Sequence, residues 1–217
     1  MTPPSALVVG ETRFPFHDLD NMGPHVEAAL GDAADVTRST ERDDLVSLSG
    51  YDLVVDYLTD STLTGPQRAG LTDFVARGGG YLGIHCAADL TSVGDGDGGL
   101  DHRREPVPEL RELVGGHFLD HPQQSTFGVE IVDAHPVTEG VDSFDVFDEP
   151  YEVEVDDDVC VLARMDHPDL PAYPVVWTRP YGDSRVCYAS LGHTEEAFAH
   201  DEYRKLLRNA VGWVVDA

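Results

Sequence analysis

Phe74-Val75-Ala76-Arg77-Gly78-Gly79-Gly80-Tyr81-Leu82-Gly83-Ile84-His85-Cys86-Ala87 is the stretch whose reading decides the fold. Its opening residues close an amphipathic segment with Leu71, Phe74 and Val75 on one face, and three glycines then stop it. Tyr81 to His85 resumes as a short apolar run. A helix ended by glycine and followed at once by such a run predicts a helix feeding a buried parallel strand. Upstream, Thr64 is placed to cap that helix, with Pro66 in its first turn. The strand ends in Gly83-Ile84-His85-Cys86-Ala87, with small residues two before and two after the central histidine. That spacing suits a sharp strand-to-helix elbow, which lifts the central side chain over the sheet edge beside free backbone N–H groups.

Working outward, Ala6-Leu7-Val8-Val9-Gly10 reads as a first buried strand and Tyr51 to Leu58 as a second. Asp18 or Asp20 caps a helix through Val26 to Leu30. Strands alternating with helices predict an α/β fold: a mainly parallel central sheet with helices on both faces. The second half is richer in strands, with candidates at 126–132, 152–155, 159–163, 174–177 and 185–190. A last helix is expected over 201–215, where Tyr203, Leu206, Leu207, Ala210, Val211 and Val214 recur at helical spacing. No repeat or linker interrupts the chain, so one domain is expected over 1–217. Thr91 to Asp101 is a Gly/Asp loop of the kind used as a lid or insertion. It is not a calcium loop, because Pro106 stands at the twelfth position from Asp95 where a glutamate is required.

The chain has 217 residues, of which 41% are apolar, and 14 Lys and Arg against 41 Asp and Glu give a net charge of −27. This excludes a nucleic-acid surface, whose phosphates would be repelled, and a polybasic membrane contact. No apolar run is long enough to span a bilayer. The acids are spread along the chain and Lys205 is the one lysine. An even acidic coat with little lysine is the composition expected of a protein working in molar salt, where self-repulsion is screened. Cys86, Cys160 and Cys187 form neither a CxxC motif nor an even framework, which predicts a reducing, cytoplasmic setting and no thiolate zinc site.

Four further segments could carry chemistry. In Ser190-Leu191-Gly192-His193-Thr194-Glu195 a histidine precedes a glutamate by two, as for an imidazole oriented by a carboxylate, although Thr194 could equally cap a helix. Gly115-Gly116-His117-Phe118-Leu119-Asp120-His121-Pro122 offers two histidines in what reads as a loop. Phe16-His17-Asp18 follows the first strand, where ligands meet a parallel sheet, with helix capping by Asp18 as the alternative. Asp148-Glu149-Pro150-Tyr151 places carboxylates on a loop. The other histidines, His25, His102, His135, His167 and His200, read as surface or turn residues.

Together these segments resemble the ThuA-like (trehalose-utilisation) family over nearly the whole chain. The likeness is carried by Phe16-His17-Asp18 with Met22-Gly23-Pro24, Tyr51 to Val55, Phe74 to His85, Gly115 to Phe118 with His121-Pro122, Pro174 to Arg179 and Tyr188 to His193. It implies a class I glutamine-amidotransferase-like, flavodoxin-like three-layer sandwich. In true amidotransferases the elbow holds a cysteine and a His-x-Glu pair completes the triad. Here His85 holds the nucleophile position, with His193 and Glu195 where that pair would sit, so glutamine hydrolysis is not expected. Cys86, one place along, points elsewhere.

The resemblance implies carbohydrate metabolism, with disaccharides or their keto derivatives as substrates. His85, His193 and Glu195 are the expected catalytic residues. His17, Asp18, Glu149 and Tyr151 are expected to bind substrate. His85, His117 and His193 could ligate Zn²⁺ or Mn²⁺, and without a metal His85 and His193 could be an acid/base pair. A second reading is a non-catalytic sugar-binding or accessory subunit, partnered with a sugar oxidoreductase or with copies of itself. It would use Trp177, Tyr173, Tyr181 and Tyr151 to stack on sugars. No nicotinamide or flavin is expected, since Gly94 to Gly99 lacks the strand and helix that a dinucleotide fingerprint needs. The acidic composition yields a first prediction: lowering salt from ~1 M to ~0.1 M lengthens the Debye length from about 3 to about 10 Å and unfolds the protein. Circular dichroism through a salt titration checks this, and a fully folded low-salt protein would refute it.

Overall fold

The computed structural model describes residues 2–216. The chain opens with β1 (Ser5–Val9), α1 (Leu19–Leu30), β2 (Asp35–Ser39), β3 (Leu53–Asp56), α2 (Gly65–Ala76) and β4 (Gly80–Ile84). It continues through β5 (Ser92–Gly94), β6 (Leu100–His102), α3 (Pro108–Val114), β7 (Gly116–Asp120), β8 (Ser125–Ile131) and β9 (Phe144–Asp148). Last come β10 (Glu152–Val155), β11 (Cys160–Asp166), β12 (Pro174–Tyr181), β13 (Ser184–Ala189), α4 (Glu195–Ala199) and α5 (Asp201–Val215).

Nine strands form one sheet in the order β2-β1-β3-β4-β13-β12-β11-β8-β9. The expected parallel sheet is its first block: β2, β1, β3, β4 and β13 all run parallel. The rest, from β13 to β9, is antiparallel. Helices α1, α4 and α5 pack on one face, and α2 and α3 on the other. Strands β3 and β4 are buried along their whole length, as their unbroken apolar runs require. The two edges escaped the sequence reading for a related reason. β2 is largely exposed and has no apolar run, while β9 alternates, burying Phe144, Val146 and Asp148 and exposing Asp145 and Phe147. β7 pairs with β10 outside the main sheet, and the Gly/Asp loop is a hairpin of β5 and β6.

Local signals explain where the helices start. The Asp18 carboxylate accepts the Asn21 N–H at the start of α1. Thr64 and Gln67 form a reciprocal capping box at the start of α2. Chain order reverses between β1 and β3, so their C-terminal loops diverge and leave a crevice. The loops after β1, β3, β4 and β13 meet there.

Asp56 ends β3 inside the protein, accepting from the Leu58 N–H at 3.0 Å and the Tyr81 hydroxyl at 2.8 Å. Burial outweighs these bonds and raises its carboxyl from 3.8 to about 6. Between those values the native state holds a proton that the unfolded state has lost, so stability from this group falls as pH rises from about 4 to 6. Asp56→Asn should remove a slope of up to about 1.4 kcal/mol per pH unit in that window. Denaturant titrations of both proteins across pH 4 to 7 measure it.

Candidate active site

The elbow is present. His85 follows β4 with φ 47°, in the left-handed region that a non-glycine residue occupies at a cost of order 1–3 kcal/mol. The buried Tyr188 hydroxyl holds its carbonyl at 2.6 Å. His85 Nδ1 lies 2.7 Å from the Ser190 carbonyl oxygen, which can only accept, so Nδ1 carries the proton. In the neutral ring Nε2 is then a bare lone pair. That atom is buried without a hydrogen-bond partner among the described residues, 3.5 Å from Glu149 Oε2.

His17 enters from the loop after β1, also left-handed at φ 54°. Its Nδ1 lies 3.0 Å from Thr59 Oγ1, in the loop after β3, and its Nε2 lies 2.9 Å from His193 Nδ1. His193 comes from the loop after β13, and its Nδ1 is 3.0 Å from Glu149 Oε2. One donor atom from each of His17, His85, Glu149 and His193 lies within 4.8 Å of all the others. Three imidazoles and one carboxylate at that spacing could hold a divalent metal. The partners of the outer ring nitrogens are of the kind that orients metal-binding histidines.

The supporting groups are buried and polar. The Asp148 carboxylate, at the end of β9, accepts three backbone N–H groups: Gly192 at 2.6 Å, His193 at 3.0 Å and Thr194 at 3.1 Å. The Tyr57 hydroxyl donates to the Gly192 carbonyl and that of Tyr203 to the Leu191 carbonyl, each at 2.7 Å. Gly192 is required here: at φ 129° a Cβ would lie 2.9 Å from both Ile84 Cγ2 and Phe198 Cζ.

Two groups of the cluster have shifted pKa values, and both, Glu149 and His17, are held low. Burial raises the Glu149 carboxyl, but the His193 and His85 rings beside it outweigh that and hold it well below the usual carboxylate range. Burial, and then repulsion from His85 and His193, hold His17 well below the usual histidine value. Burial pushes the Cys86 thiol up, against a lowering hydrogen bond with Thr59, so no reactive thiolate forms there.

A cavity of about 430 Å³ opens onto His17, Glu149 and His193. Tyr151 and Phe118 give it apolar walls, and Tyr151 stacks on the His85 ring at 4.1 Å. Asp89, Ser92 and His102 line it as well, so the hairpin borders the site. Asp89 is buried and accepts the Ser92 N–H at 3.2 Å; burial raises its carboxyl above the usual value.

Three expectations require correction. Glu195 does not orient His193: Thr194 caps α4 and turns Glu195 outward, 3.7 Å from His25, and Glu149 stands in its place. His117 does not join the cluster, because it lies on β7 and accepts from Arg111 Nε at 3.0 Å; His17 is the third imidazole. Asp18 is a helix cap, not a cavity residue. His85, His193, His17, Glu149 and Tyr151 are brought together. Of the aromatics considered for stacking, Trp177 is core, its indole donating to the Val114 carbonyl at 2.8 Å, and Tyr173 and Tyr181 lie away from the cavity. Sequence reasoning missed Thr59, Asp89 and His102 as site residues, and it placed Asp148 on a loop where it ends β9. For Asp148 a signal existed, since alternation along Phe144-Asp145-Val146-Phe147-Asp148 places it on the inward face.

Asp148→Asn turns one acceptor oxygen into a donor against an N–H. It should cost about 2–3 kcal/mol and displace His193. Urea denaturation, with the His193 ring resonances by NMR, checks both effects.

Comparison with known proteins agrees with this architecture. A thua-like protein from Bacteroides uniformis ATCC 8492 superposes with a TM-score of 0.76 at 21% identity, over 98% of this chain and 91% of its own. One from Parabacteroides merdae ATCC 43184 gives 0.70 at 17% identity, over 98% and 90%. A beta-galactosidase from Rahnella sp. R3 gives 0.69 at 16% identity, over 98% of this chain but 32% of its own. At these identities the likeness is one of fold. Among curated proteins no relative matches. The ThuA family, described as trehalose utilisation, matches residues 5–214, a span that contains every residue of the His/Glu cluster, and the chain therefore belongs to that family.

Proposed function

We propose that this chain is an enzyme of carbohydrate utilisation that acts on a sugar or keto-sugar derivative. A divalent ion, zinc or manganese, is held by His17, His85, His193 and Glu149. The observation that carries the reading is the convergence of three imidazole nitrogens and a carboxylate oxygen within 4.8 Å at the floor of a cavity. Family membership ties the chain to carbohydrate utilisation, and the cavity has room for a sugar ring. When bound, the ion would polarise a substrate carbonyl or hydroxyl.

The chain's own residues supply the rest. Tyr151 and Phe118 offer apolar faces for the ring. Asp89, buried on the cavity wall with its carboxyl raised, is placed to take or return a proton at a substrate carbon or oxygen. His121, whose Nδ1 lies 3.8 Å from Glu149 Oε1, closes the cavity on the Tyr151 side. An imidazole at the elbow cannot form the thioester that glutamine hydrolysis needs, and Cys86 is buried beneath it.

Protein purified without a polyhistidine tag should bind about one Zn²⁺ or Mn²⁺ per chain by elemental analysis after equilibrium dialysis. His17→Ala, His85→Ala, His193→Ala and Glu149→Gln should each weaken that binding at least tenfold, whereas His117→Ala should not. Turnover of keto-disaccharides should fall with metal content. Wild-type protein that takes up neither ion would overturn the metal assignment. Undiminished turnover in His85→Ala and His193→Ala would overturn the enzyme reading.

A further inference from the structure

Beyond the His/Glu cluster lies a second, larger cavity of about 760 Å³. It shares His102, Phe118 and His121 with the first, so the two adjoin across one wall. Three of the chain's 14 basic residues, Arg103, Arg104 and Arg111, line it, in a chain with 41 acids. The three carboxylates on its wall are each engaged by groups other than Arg103. Glu154 faces Arg111 at 3.5 Å, Glu105 faces Arg104 at 3.7 Å, and Asp120 accepts the His121 N–H at 2.9 Å.

Arg103 is the exception among the arginines. Eight others have a carboxylate within 4.0 Å: Arg13, Arg38, Arg42, Arg68, Arg77, Arg104, Arg111 and Arg179. Arg164, Arg185, Arg204 and Arg208 donate instead to backbone carbonyls. Arg103 has neither kind of partner among the described residues. Its Nη2 reaches only Thr62 Oγ1, at 3.4 Å, and its Nε is buried without a partner. Its backbone is fixed, the N–H donating to the Thr91 carbonyl at 2.9 Å. This guanidinium is left without an anion in a very acidic protein, on the wall of a cavity beside the candidate active site. Its planar fork matches a carboxylate or a phosphate.

We propose that the outer cavity binds an oxyanion carried by the sugar substrate, a carboxylate or a phosphate, with the guanidinium of Arg103 as its partner. The inference rests on the sugar-enzyme reading for the inner cavity and adds the substrate's charge to it. An overall charge of −27 disfavours an anionic substrate, so a cation without an acidic partner is what recognition of one would need.

The test is calorimetric titration of zinc-loaded protein with glucose, glucuronate and glucose 6-phosphate at fixed ionic strength. One or both of the charged sugars should bind at least tenfold more tightly than glucose. Glucuronate leading assigns a carboxylate, and glucose 6-phosphate leading a phosphate. Arg103→Gln should abolish the preference, and Arg103→Lys, which keeps the charge without the fork, should retain part of it. Equal binding of the three sugars, binding of none, or a preference that survives in Arg103→Gln would overturn the proposal. The wild-type arm decides even if a variant fails to fold. Elemental analysis of the same samples reports on the His/Glu cluster separately, so loss of the metal reading and loss of the oxyanion reading give different results.

Discussion

The buried Asp148 carboxylate is the contact on which the rest of the site depends. Its charge is met not by a cation but by three consecutive backbone N–H groups of the 192–194 loop. A carboxylate taken out of water demands several hydrogen bonds, and those three donors would themselves be costly to bury unpaired. Each satisfies the other, and the loop that carries His193 is held in one conformation. The same contact joins the two halves of the sheet, because Asp148 ends the antiparallel edge strand while the loop follows the last parallel strand. Glu149, the next residue along, is thereby delivered to the histidines.

The second constraint is backbone geometry at the histidines. His17 and His85 both adopt left-handed conformations that imidazole side chains take up rarely, and both are held by contacts from other elements. Strain of this kind persists only where the surroundings over-determine it. Three buried tyrosine hydroxyls, from Tyr57, Tyr188 and Tyr203, restrain the carbonyls of the two loops that bear His85 and His193. The outcome is an arrangement in which ring nitrogens of three histidines converge on one carboxylate. The elbow geometry here aims an imidazole into the cluster.

Much was legible in the sequence. The glycine stop at 78–80, the apolar runs at 6–9 and 53–55, the Thr64 cap and the periodicity of 201–215 are local signals, and each lies where expected. Less was legible in the antiparallel block, because edge strands lack the apolar runs that mark buried ones. β9 is visible only as an alternation, and β2 carries almost no signal.

His85 and His193 could be named because each follows an apolar strand and is flanked by small residues, a pattern that local chain chemistry imposes. The choice of carboxylate could not be read that way. Glu195 lies two residues from His193, yet a helix cap turns it to solvent, while Glu149, 44 positions away, sits 3.0 Å from the ring. His117 was expected as the third imidazole and His17 as a substrate contact, but the crevice between β1 and β3 brings His17 to the cluster while Arg111 engages His117. Strands, stops and caps follow from the chain's own chemistry within a few residues. Which side chains share a site follows from the order of strands in the sheet and from the hydrogen bonds that buried polar groups must find across it.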